Sequence, residues 1–315
     1  MFNRLLSQSS VPPDRGALQL RGRTLRWGER TYVMGILNIT PDSFSGDGLI
    51  SADDVLTRAL AQARDFAAAG VDILDVGGES TRPGAHAVPN VDEQSRVVPV
   101  IAALRREFDL PISIDTSKAE VAAAALDAGA DLVNNVWGLR LPDGGWDAAM
   151  AELVCVRHVP IIVMHNRRAQ ASTGSFGGHY RDVSYTNVVD DVRRELQQNV
   201  EYALTQGIQP WQMILDPGIG FGKTPAQNIE LLRHLAELGS LGYPLLLGTS
   251  RKSFIGLALG GVPPHERVEG TAATVALGIQ AGVDIVRVHD VAPMVRVARM
   301  TDAIVRPGAW ERLTS

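Results

Sequence analysis

Eight short runs of apolar and β-branched residues recur along this sequence, and each is followed by a longer stretch with the period of an amphipathic helix. Such nearly continuous apolar runs are typical of parallel strands that are buried on both faces. Eight strand and helix pairs over about 250 residues favour an α/β fold, a (β/α)8 TIM barrel, with an open doubly wound sheet as the alternative. The runs are YVMGILN, DILDVG, PISIDT, DLVNN, PIIVMH, QMILD, PLLLG and DIVRVH.

The alternation continues without a break that would divide the chain into two domains. No stretch rich in Pro, Gly or Ser separates the strands, so we expect a single domain over residues 16–308. Residues 1–15 are expected to be a flexible N-terminal segment, and residues 309–315 a C-terminal tail. ALQLRGRTLRWGERTYV alternates apolar and polar residues around Trp27 and Gly28, which predicts an N-terminal β-hairpin that closes the barrel bottom.

The charge pattern excludes a nucleic-acid surface. The chain carries a net charge of -5, and its arginines are scattered among carboxylates. An anionic ligand must therefore be bound by a local group of side chains. Cys155 is the single cysteine, and no apolar run approaches the roughly 18 residues of a membrane span. We therefore expect a soluble protein of the cytoplasm.

Polar side chains stand at the ends of the predicted strands, where the strands of a barrel open into a common mouth. One such residue is readily explained as a helix N-cap, since Asp, Asn, Ser and Thr are favoured there. Seven of them together indicate a binding site instead. They are Asn38, Asp115, Asn134, His165, Asp216, Arg287 and His289.

The chemistry of these side chains indicates their ligand. Two carboxylates, a primary amide and Lys252 suit a flat heterocycle with several N–H donors and a carbonyl, such as a pterin or a purine. Arg287 and His289 are two residues apart on one strand, so both face the same side and can grip an anion such as pyrophosphate. The sequence therefore indicates a heterocycle with an acidic tail.

The spacing of the residues excludes three other kinds of binding site. The segment DPGIGFGKT has Pro217 where a P-loop needs its first glycine, and Lys223 where a dinucleotide fingerprint needs its third. The histidines and Cys155 include no pair at the spacing of a zinc site. The remaining interpretation is a glycine-rich turn that lets Phe221 lie over a pocket.

Seven motifs in this order resemble the dihydropteroate synthase family over most of the chain. They are NITPDSFSGDG, GGESTRPGA, SIDTSK, VNNVWG, DPGIGFGKT, GTSRKSFIG and VRVHD. The resemblance implies a TIM barrel that condenses 6-hydroxymethyl-7,8-dihydropterin pyrophosphate with p-aminobenzoate, giving 7,8-dihydropteroate and pyrophosphate in folate biosynthesis. It further implies Mg2+ as the cofactor, sulfonamides as inhibitors, and a homodimer formed through the last helices.

The resemblance also implies roles for individual residues, each at its motif position. The catalytic residues would be Asn38, Asp115, Asp216, Lys252, Arg287 and His289. The pterin would be bound by Asp115, Asn134, Asp216 and Lys252. The pyrophosphate would be bound by Asn38, Thr81, Arg82, Arg287 and His289, with Asn38 also the ligand of the metal. The p-aminobenzoate would be bound by Phe44, Thr81, Pro83, Phe221 and Ser250.

The segment after the first strand, residues 40–48, is then expected to form a lid. Pro41 stiffens its start, Phe44 can cover an aromatic ring, and Gly46 and Gly48 let the segment fold over. The alternative is a plain surface loop with a buried phenyl group as its anchor.

Charge decides the expected mechanism. Breaking the bond between the pterin methylene and the pyrophosphate builds positive charge on carbon and negative charge on oxygen, so the site must stabilise both. Asp115 and Asp216 would stabilise a cationic pterin, which favours a dissociative displacement. The arylamine is neutral at pH 7 and needs no general base.

Two pterin-binding proteins of other function remain as alternatives. A methyltransferase that passes a methyl group to a corrinoid would have no use for Asn38 together with Arg287 and His289. A non-catalytic paralogue would be expected to lose the first two motifs, which are intact. Within the family pattern, Asn135 stands where an aspartate frequently follows Asn134.

Overall fold

A computed structural model of the chain describes residues 16–40, 52–82, 84–85, 87–173, 178–306 and 308–314. Several sequence-based predictions lie outside these residues. They are the flexible segment 1–15, the lid beyond Thr40 with Phe44, and the assignment of Pro83.

Eight parallel strands form one barrel sheet, which confirms the predicted fold class. The pairing runs through the whole series, and the ring closes where Leu215 forms a parallel bridge with Leu245. Strands β3 to β7 and β10 to β12 make up the barrel, whereas β1 with β2 and β8 with β9 are antiparallel pairs. In chain order the strands are Ala17–Leu20 (β1), Arg23–Arg26 (β2), Tyr32–Asn38 (β3), Ile73–Gly77 (β4), Ile112–Asp115 (β5), Leu132–Asn135 (β6), Ile161–Met164 (β7), Ser172–Thr173 (β8), Tyr180–Arg181 (β9), Met213–Asp216 (β10), Leu246–Leu247 (β11) and Ile285–Val288 (β12).

At least one α-helix follows each barrel strand, which gives the (β/α)8 order. Capping side chains begin several of them, since Asn187 accepts hydrogen bonds from the N–H groups of Val189 and Asp190. Thr224 and Gln227 form a capping box at the start of another. The helices are Ala52–Ala69 (α1), Asn90–Glu107 (α2), Ala119–Asp127 (α3), Ala148–Arg157 (α4), Val188–Thr205 (α5), Pro225–Arg233 (α6), Ser253–Ala258 (α7), Val268–Gln280 (α8), Val291–Val305 (α9) and Ala309–Thr314 (α10).

Side chains of the barrel strands alternate between two separate cores. Outward residues such as Leu74 belong to the larger core, which includes residues of the surrounding helices. Inward residues such as Ile73 and Ile285 belong to a smaller core inside the barrel. Two residues further along the same strands, the inward positions are Asp75 and Arg287. The barrel interior therefore changes from apolar to polar toward the carboxyl ends of its strands.

The N-terminal hairpin is present, but the predicted position of its turn is wrong. The sequence pattern centred the hairpin on Trp27 and Gly28, whereas β1 and β2 are joined by Arg21 and Gly22, whose φ angles are 52° and 70°. Positive φ at both central residues suits a two-residue hairpin turn. The leucines of β1 and β2 join the inner core and plug the barrel bottom, as predicted: Leu18, Leu20 and Leu25.

The chain continues as a helix beyond the predicted end of the domain. Residues 309–315 were expected to be a tail, but Ala309–Thr314 form α10, which packs against α9. Ala309 at its start is only 3% exposed. The domain boundaries themselves stay predictions. Within the described ranges, no helix is both long and apolar enough to cross a membrane.

Candidate active site

Four strand ends lie side by side at one level of the barrel mouth. In the strand register Asn38 pairs with Gly77, Gly77 with Asp115, and Asp115 with Asn134. Because inward and outward positions alternate in step on neighbouring strands, these residues face the same side of the sheet. Gly77 has no side chain, and a Cβ there would lie 3.4 Å from the Asp115 Cβ. The register thus brings three of the predicted site residues together around an open position.

Arg287 lies at the centre of this group. Its Nε donates to Asp75 Oδ2 at 2.6 Å, and its Nη2 donates to Asp115 Oδ2 at 2.5 Å. Although burial lowers it, these two carboxylates raise the pKa of Arg287 above its ordinary value. The sequence assigned Arg287 to pyrophosphate and Asp115 to the pterin. Their direct contact means that the two predicted subsites adjoin.

Asp75 is a residue of this site that sequence reasoning missed. It is fully buried inside the barrel, and the Asn134 Nδ2 lies 3.5 Å from each of its carboxylate oxygens. A signal for it exists in the sequence, because a carboxylate in an apolar strand at an inward position requires a charged partner. Arg287 is that partner.

The two predicted pterin carboxylates are buried and incompletely satisfied. Asp115 Oδ1 has no hydrogen-bond partner among the described residues, and burial raises the pKa of this carboxyl to about 7. Asp216 Oδ1 accepts from the Gly218 N–H at 2.7 Å, yet burial raises its pKa as well. Buried carboxylate oxygens without protein donors suit a ligand that brings its own N–H groups.

An apolar wall stands beside these carboxylates. The Lys252 Nζ lies 4.1 Å from the centre of the Phe221 ring, and burial lowers the pKa of Lys252 to about 8. Phe221, predicted to border p-aminobenzoate, therefore also contacts a predicted pterin residue. A flat ring system can lie against this wall while its edge meets the polar groups. The wall consists of Val136, Trp137, Met164 and Phe221.

His289 contacts Ser250 through both its backbone and its ring. The Ser250 Oγ accepts from the His289 backbone N–H at 3.1 Å and lies 3.0 Å from Nδ1, so its hydroxyl proton is free to be donated to that ring nitrogen. Burial lowers the pKa of His289 to about 3, so the ring is neutral and one of its two nitrogens carries a proton. Ser250, predicted for p-aminobenzoate, thus contacts a predicted pyrophosphate residue.

The chain matches the family described as pterin binding enzyme over residues 34–289. The dihydropteroate synthase of Clostridium beijerinckii is 46% identical to it over 290 residues, which cover 92% of this chain and 100% of that protein. The dihydropteroate synthase of Bacillus subtilis is 45% identical over 284 residues, covering 90% and 92%. This chain belongs to the dihydropteroate synthase family. The family resemblance predicted from the motifs is confirmed.

Two solved dihydropteroate synthases share the fold at full domain length. The Xanthomonas albilineans protein, solved with 4-aminobenzoic acid, is 40% identical with a TM-score of 0.81, covering 91% of this chain and 97% of that one. The Clostridium difficile protein, solved in the presence of pteroic acid, is 48% identical with a TM-score of 0.79, covering 89% and 98%. As a member of the dihydropteroate synthases, this chain is a transferase of folate biosynthesis.

The fifth strand of this dihydropteroate synthase ends in a buried support and not in the mouth itself. The Lys223 Nζ donates to His165 Nδ1 and to the Gly218 carbonyl, both at 2.9 Å. His165 Nε2 then carries the proton and donates to Glu195 at 3.0 Å. Burial lowers the pKa of His165 to about 3 and that of Lys223 to about 7. His165, Lys223 and Glu195 therefore hold the loop that carries Phe221.

The second loop of the dihydropteroate synthase site lies at the rim. Thr81 is half-buried and Arg82 is exposed, and the Arg82 N–H donates to the Ser80 Oγ at 3.4 Å. Pro83 lies outside the described residues. The pyrophosphate and p-aminobenzoate roles of this loop stay predictions.

Asn38 fits the metal expected of a dihydropteroate synthase. Its side chain is half-buried at the mouth. The described part of the chain holds no group of three or more His, Cys, Asp or Glu side chains that could bind a metal ion. Mg2+ keeps several waters and takes few protein ligands when substrate phosphates supply the rest. One neutral amide oxygen is consistent with that manner of binding.

Proposed function

We propose that this chain condenses 6-hydroxymethyl-7,8-dihydropterin pyrophosphate with p-aminobenzoate, giving 7,8-dihydropteroate and pyrophosphate. The ligands of the solved relatives, pteroic acid and 4-aminobenzoic acid, support these substrate classes. Membership of the dihydropteroate synthase family supports the reaction that joins them.

The observation that carries this proposal is the buried, unpartnered Oδ1 of Asp115. Asn134 lies beside it in the strand register, and Asp216 is a second buried carboxylate at a strand end. A pterin presents amino and ring N–H donors along one edge, which these oxygens would accept. Lys252 would donate to a ring nitrogen or to the carbonyl. Phe221 would cover the ring face.

Arg287 and His289 are proposed to bind the pyrophosphate. Arg287 donates through Nε to Asp75 and through Nη2 to Asp115. Its Nη1 would therefore donate to a phosphate oxygen. His289 would donate its Nε2 proton, because Ser250 engages Nδ1. These donors are placed before the reaction, so the negative charge of the leaving group would be stabilised without reorganisation of the site.

Asn38 is proposed to hold a Mg2+ ion together with the pyrophosphate, and Thr81 and Arg82 would contact the same group from the second loop. When bound, the ion would supply positive charge that neutralises phosphate oxygens. The amide would only position it, since a neutral ligand leaves the full charge of the cation available.

The proposed displacement is dissociative. As the carbon–oxygen bond breaks, Asp115 and Asp216 would stabilise the positive charge on the pterin, while the cationic and neutral donors stabilise the pyrophosphate. The amine of p-aminobenzoate then attacks as a neutral nucleophile, and catalysis comes from charge stabilisation and from holding the amine in line.

The proposal is tested by following pyrophosphate release from purified protein. We expect release that requires both p-aminobenzoate and Mg2+ in addition to the pterin pyrophosphate, with one dihydropteroate formed for each pyrophosphate. Release that proceeds at the same rate without p-aminobenzoate would show hydrolysis instead and would contradict the proposal.

We further propose that the protein is a cytoplasmic homodimer. The last helices were expected to form the interface, but the apolar stripe of α9 lies in the core, since Val291, Met294 and Val295 are buried. The opposite surface of α9, however, exposes Met300 and Ile304. That surface supports the dimer better than the stripe does.

A further inference from the structure

One ammonium group, the Nζ of Lys118, contacts both ends of the loop that follows β4. Lys118 is the N-cap residue of α3, three residues beyond Asp115. It forms an ion pair with Glu79, the second residue after β4, and donates to the Val88 carbonyl at 2.7 Å, just before α2 begins. A single side chain therefore closes the loop formed by residues 79–88.

The third contact of Lys118 ties this closed loop to the helix behind it. Its Nζ donates to Oε2 of Glu93, in the first turn of α2, at 2.5 Å. Glu93 is only 1% exposed, and its Oε1 has no hydrogen-bond partner among the described residues. The buried charge of Glu93 thus depends on Lys118. Although burial lowers it, the two carboxylates raise the pKa of Lys118, so the amine stays charged.

Among the described residues of this loop, which exclude positions 83 and 86, the other contacts are fewer and weaker. Arg96 donates to the Gly78 carbonyl at 2.9 Å before the loop begins, and the Ala85 N–H donates to the Arg82 carbonyl at 3.1 Å within it. Thr81, between these points, is half-buried. Among the described residues, the contacts that hold this loop are therefore concentrated at its two ends, where Lys118 joins Glu79 and Val88.

We propose that Lys118 is a positioning residue, which holds the loop formed by residues 79–88 in the shape that binds pyrophosphate and p-aminobenzoate. This inference rests on the proposed function, which places Thr81 and Arg82 in those subsites. Without the ammonium, Glu79 and Glu93 would be two neighbouring carboxylates that repel each other. Glu79 would move away from α2, and the loop would reach its binding shape only part of the time.

The proposal is tested by titrating ligands into Lys118→Met. If the loop is competent for one tenth of the time, apparent affinity for p-aminobenzoate in the presence of pyrophosphate, Mg2+ and pterin falls about tenfold. Affinity for the pterin alone should be unchanged, because Asp115, Asn134 and Asp216 do not depend on the loop. In turnover, KM for p-aminobenzoate should rise more than kcat falls. Lys118→Arg should recover most of the affinity, since it keeps the charge.

Arg105→Met is the matched control for lost stability. Arg105 is also a partly buried cation with several partners, since it pairs with Asp131 and donates to the carbonyls of Gly129 and Leu110, but it lies at the other end of the strands. We expect this variant to unfold at a lower temperature while binding p-aminobenzoate as the unmodified protein does. Equal loss of p-aminobenzoate affinity in both variants would overturn the positioning role.

A further variant tests the positioning role even if Lys118→Met does not fold. Glu79→Ala removes the contact between Lys118 and Glu79, and leaves the contacts of Lys118 with Val88 and Glu93 in place. Unchanged p-aminobenzoate affinity in Glu79→Ala, together with normal turnover by the unmodified protein, would overturn the inference and leave the proposed function standing. Failure of the unmodified protein to form dihydropteroate would instead overturn the proposed function.

Discussion

Arg287 is a single cation shared between two carboxylates, Asp75 and Asp115. One positive charge cannot fully compensate both in a buried site, so burial raises the pKa of Asp115 to about 7 despite the ion pair. Asp115 is therefore a buried acceptor whose ionisation near neutral pH determines whether it can receive N–H groups. We therefore expect the affinity for the proposed pterin ligand to depend on pH.

The pH dependence of pterin binding follows from that raised pKa. N–H donors favour the ionised carboxylate, so affinity should rise as pH passes upward through about 7. About one unit below the pKa only a tenth of Asp115 is ionised, and the apparent affinity should be about tenfold weaker. Calorimetric titration of a pterin without pyrophosphate measures this. Asp115→Asn should bind more weakly and lose the dependence, and a variant that keeps the same dependence would refute the assignment.

The proposed role of Asn38 also belongs to the residue scale, because it would involve a single amide oxygen. Asn38→Ala should raise the Mg2+ concentration needed for half-maximal turnover, because the ion would then be held by phosphate oxygens and water alone. Binding of a pterin without pyrophosphate should be unaffected. Turnover measured across a Mg2+ series checks this expectation, and a superimposable curve for the variant would remove Asn38 from the metal site.

The glycine-rich loop after β10 is the element that holds the mouth in shape. Gly218 has a φ of 66°, and a Cβ there would lie 1.8 Å from the His165 carbonyl oxygen. The loop after β10 thus lies directly on the loop after β7, and Lys223 donates to both of them. Only glycine permits so close an approach of two backbones.

Gly218→Ala should therefore lower the free energy of unfolding by more than the same substitution at a left-handed glycine elsewhere in the chain. Gly242 is the matched control, because its φ is 79° but nothing lies within 4 Å of its Cβ position. Gly242→Ala should cost about 1 to 2 kcal/mol of unfolding free energy from backbone strain alone. Gly218→Ala adds an overpacking cost of about 1 to 3 kcal/mol, since a carbonyl cannot rotate aside. Urea unfolding compares them, and equal costs would contradict the close contact.

Asn135, where the family pattern often has an aspartate, lies away from the predicted pterin groups. Asn134 faces the barrel interior, so alternation along β6 directs Asn135 toward the helix layer. Its Oδ1 accepts from the Trp137 N–H at 2.9 Å. Asn135 therefore shapes the turn that leads into the apolar wall and does not face the predicted pterin groups.

At the scale of the whole molecule, one surface of the barrel is unusually apolar. Met300 and Ile304 are 60% and 71% exposed and are four residues apart on α9, so they share a face. Leu277, on the neighbouring α8, is 63% exposed. This face is the proposed dimer interface.

Ile304→Glu should convert the proposed dimer to a monomer, because a carboxylate would be buried in the interface without a partner. Light scattering measures the molar mass at several protein concentrations. Val156→Glu on α4 is the control, since Val156 is comparably exposed, at 68%, on another face. If Ile304→Glu has the same mass as the unmodified protein, this face is not the interface.

Prediction from the sequence succeeded where the signal lies in neighbouring residues. Asp115 and Asn134 end apolar runs, and the register does place them side by side. Asp75 was missed because it stands inside a run and not at its end. Lys223 and Lys118 were missed because their partners are remote in sequence, and a lone lysine in a polar loop carries no sign of burial.

The sequence by itself determined the barrel and the family. Strand and helix periods, and the order of the seven motifs, are properties of adjacent residues that need no knowledge of distant contacts. Only the tertiary structure decided which charges meet. Arg287 and Asp75 are 212 residues apart, and they form an ion pair because closure of the barrel places the last strand beside the first. That meeting raises the pKa of Arg287, leaves one oxygen of Asp115 for a ligand, and joins the two predicted subsites into one site.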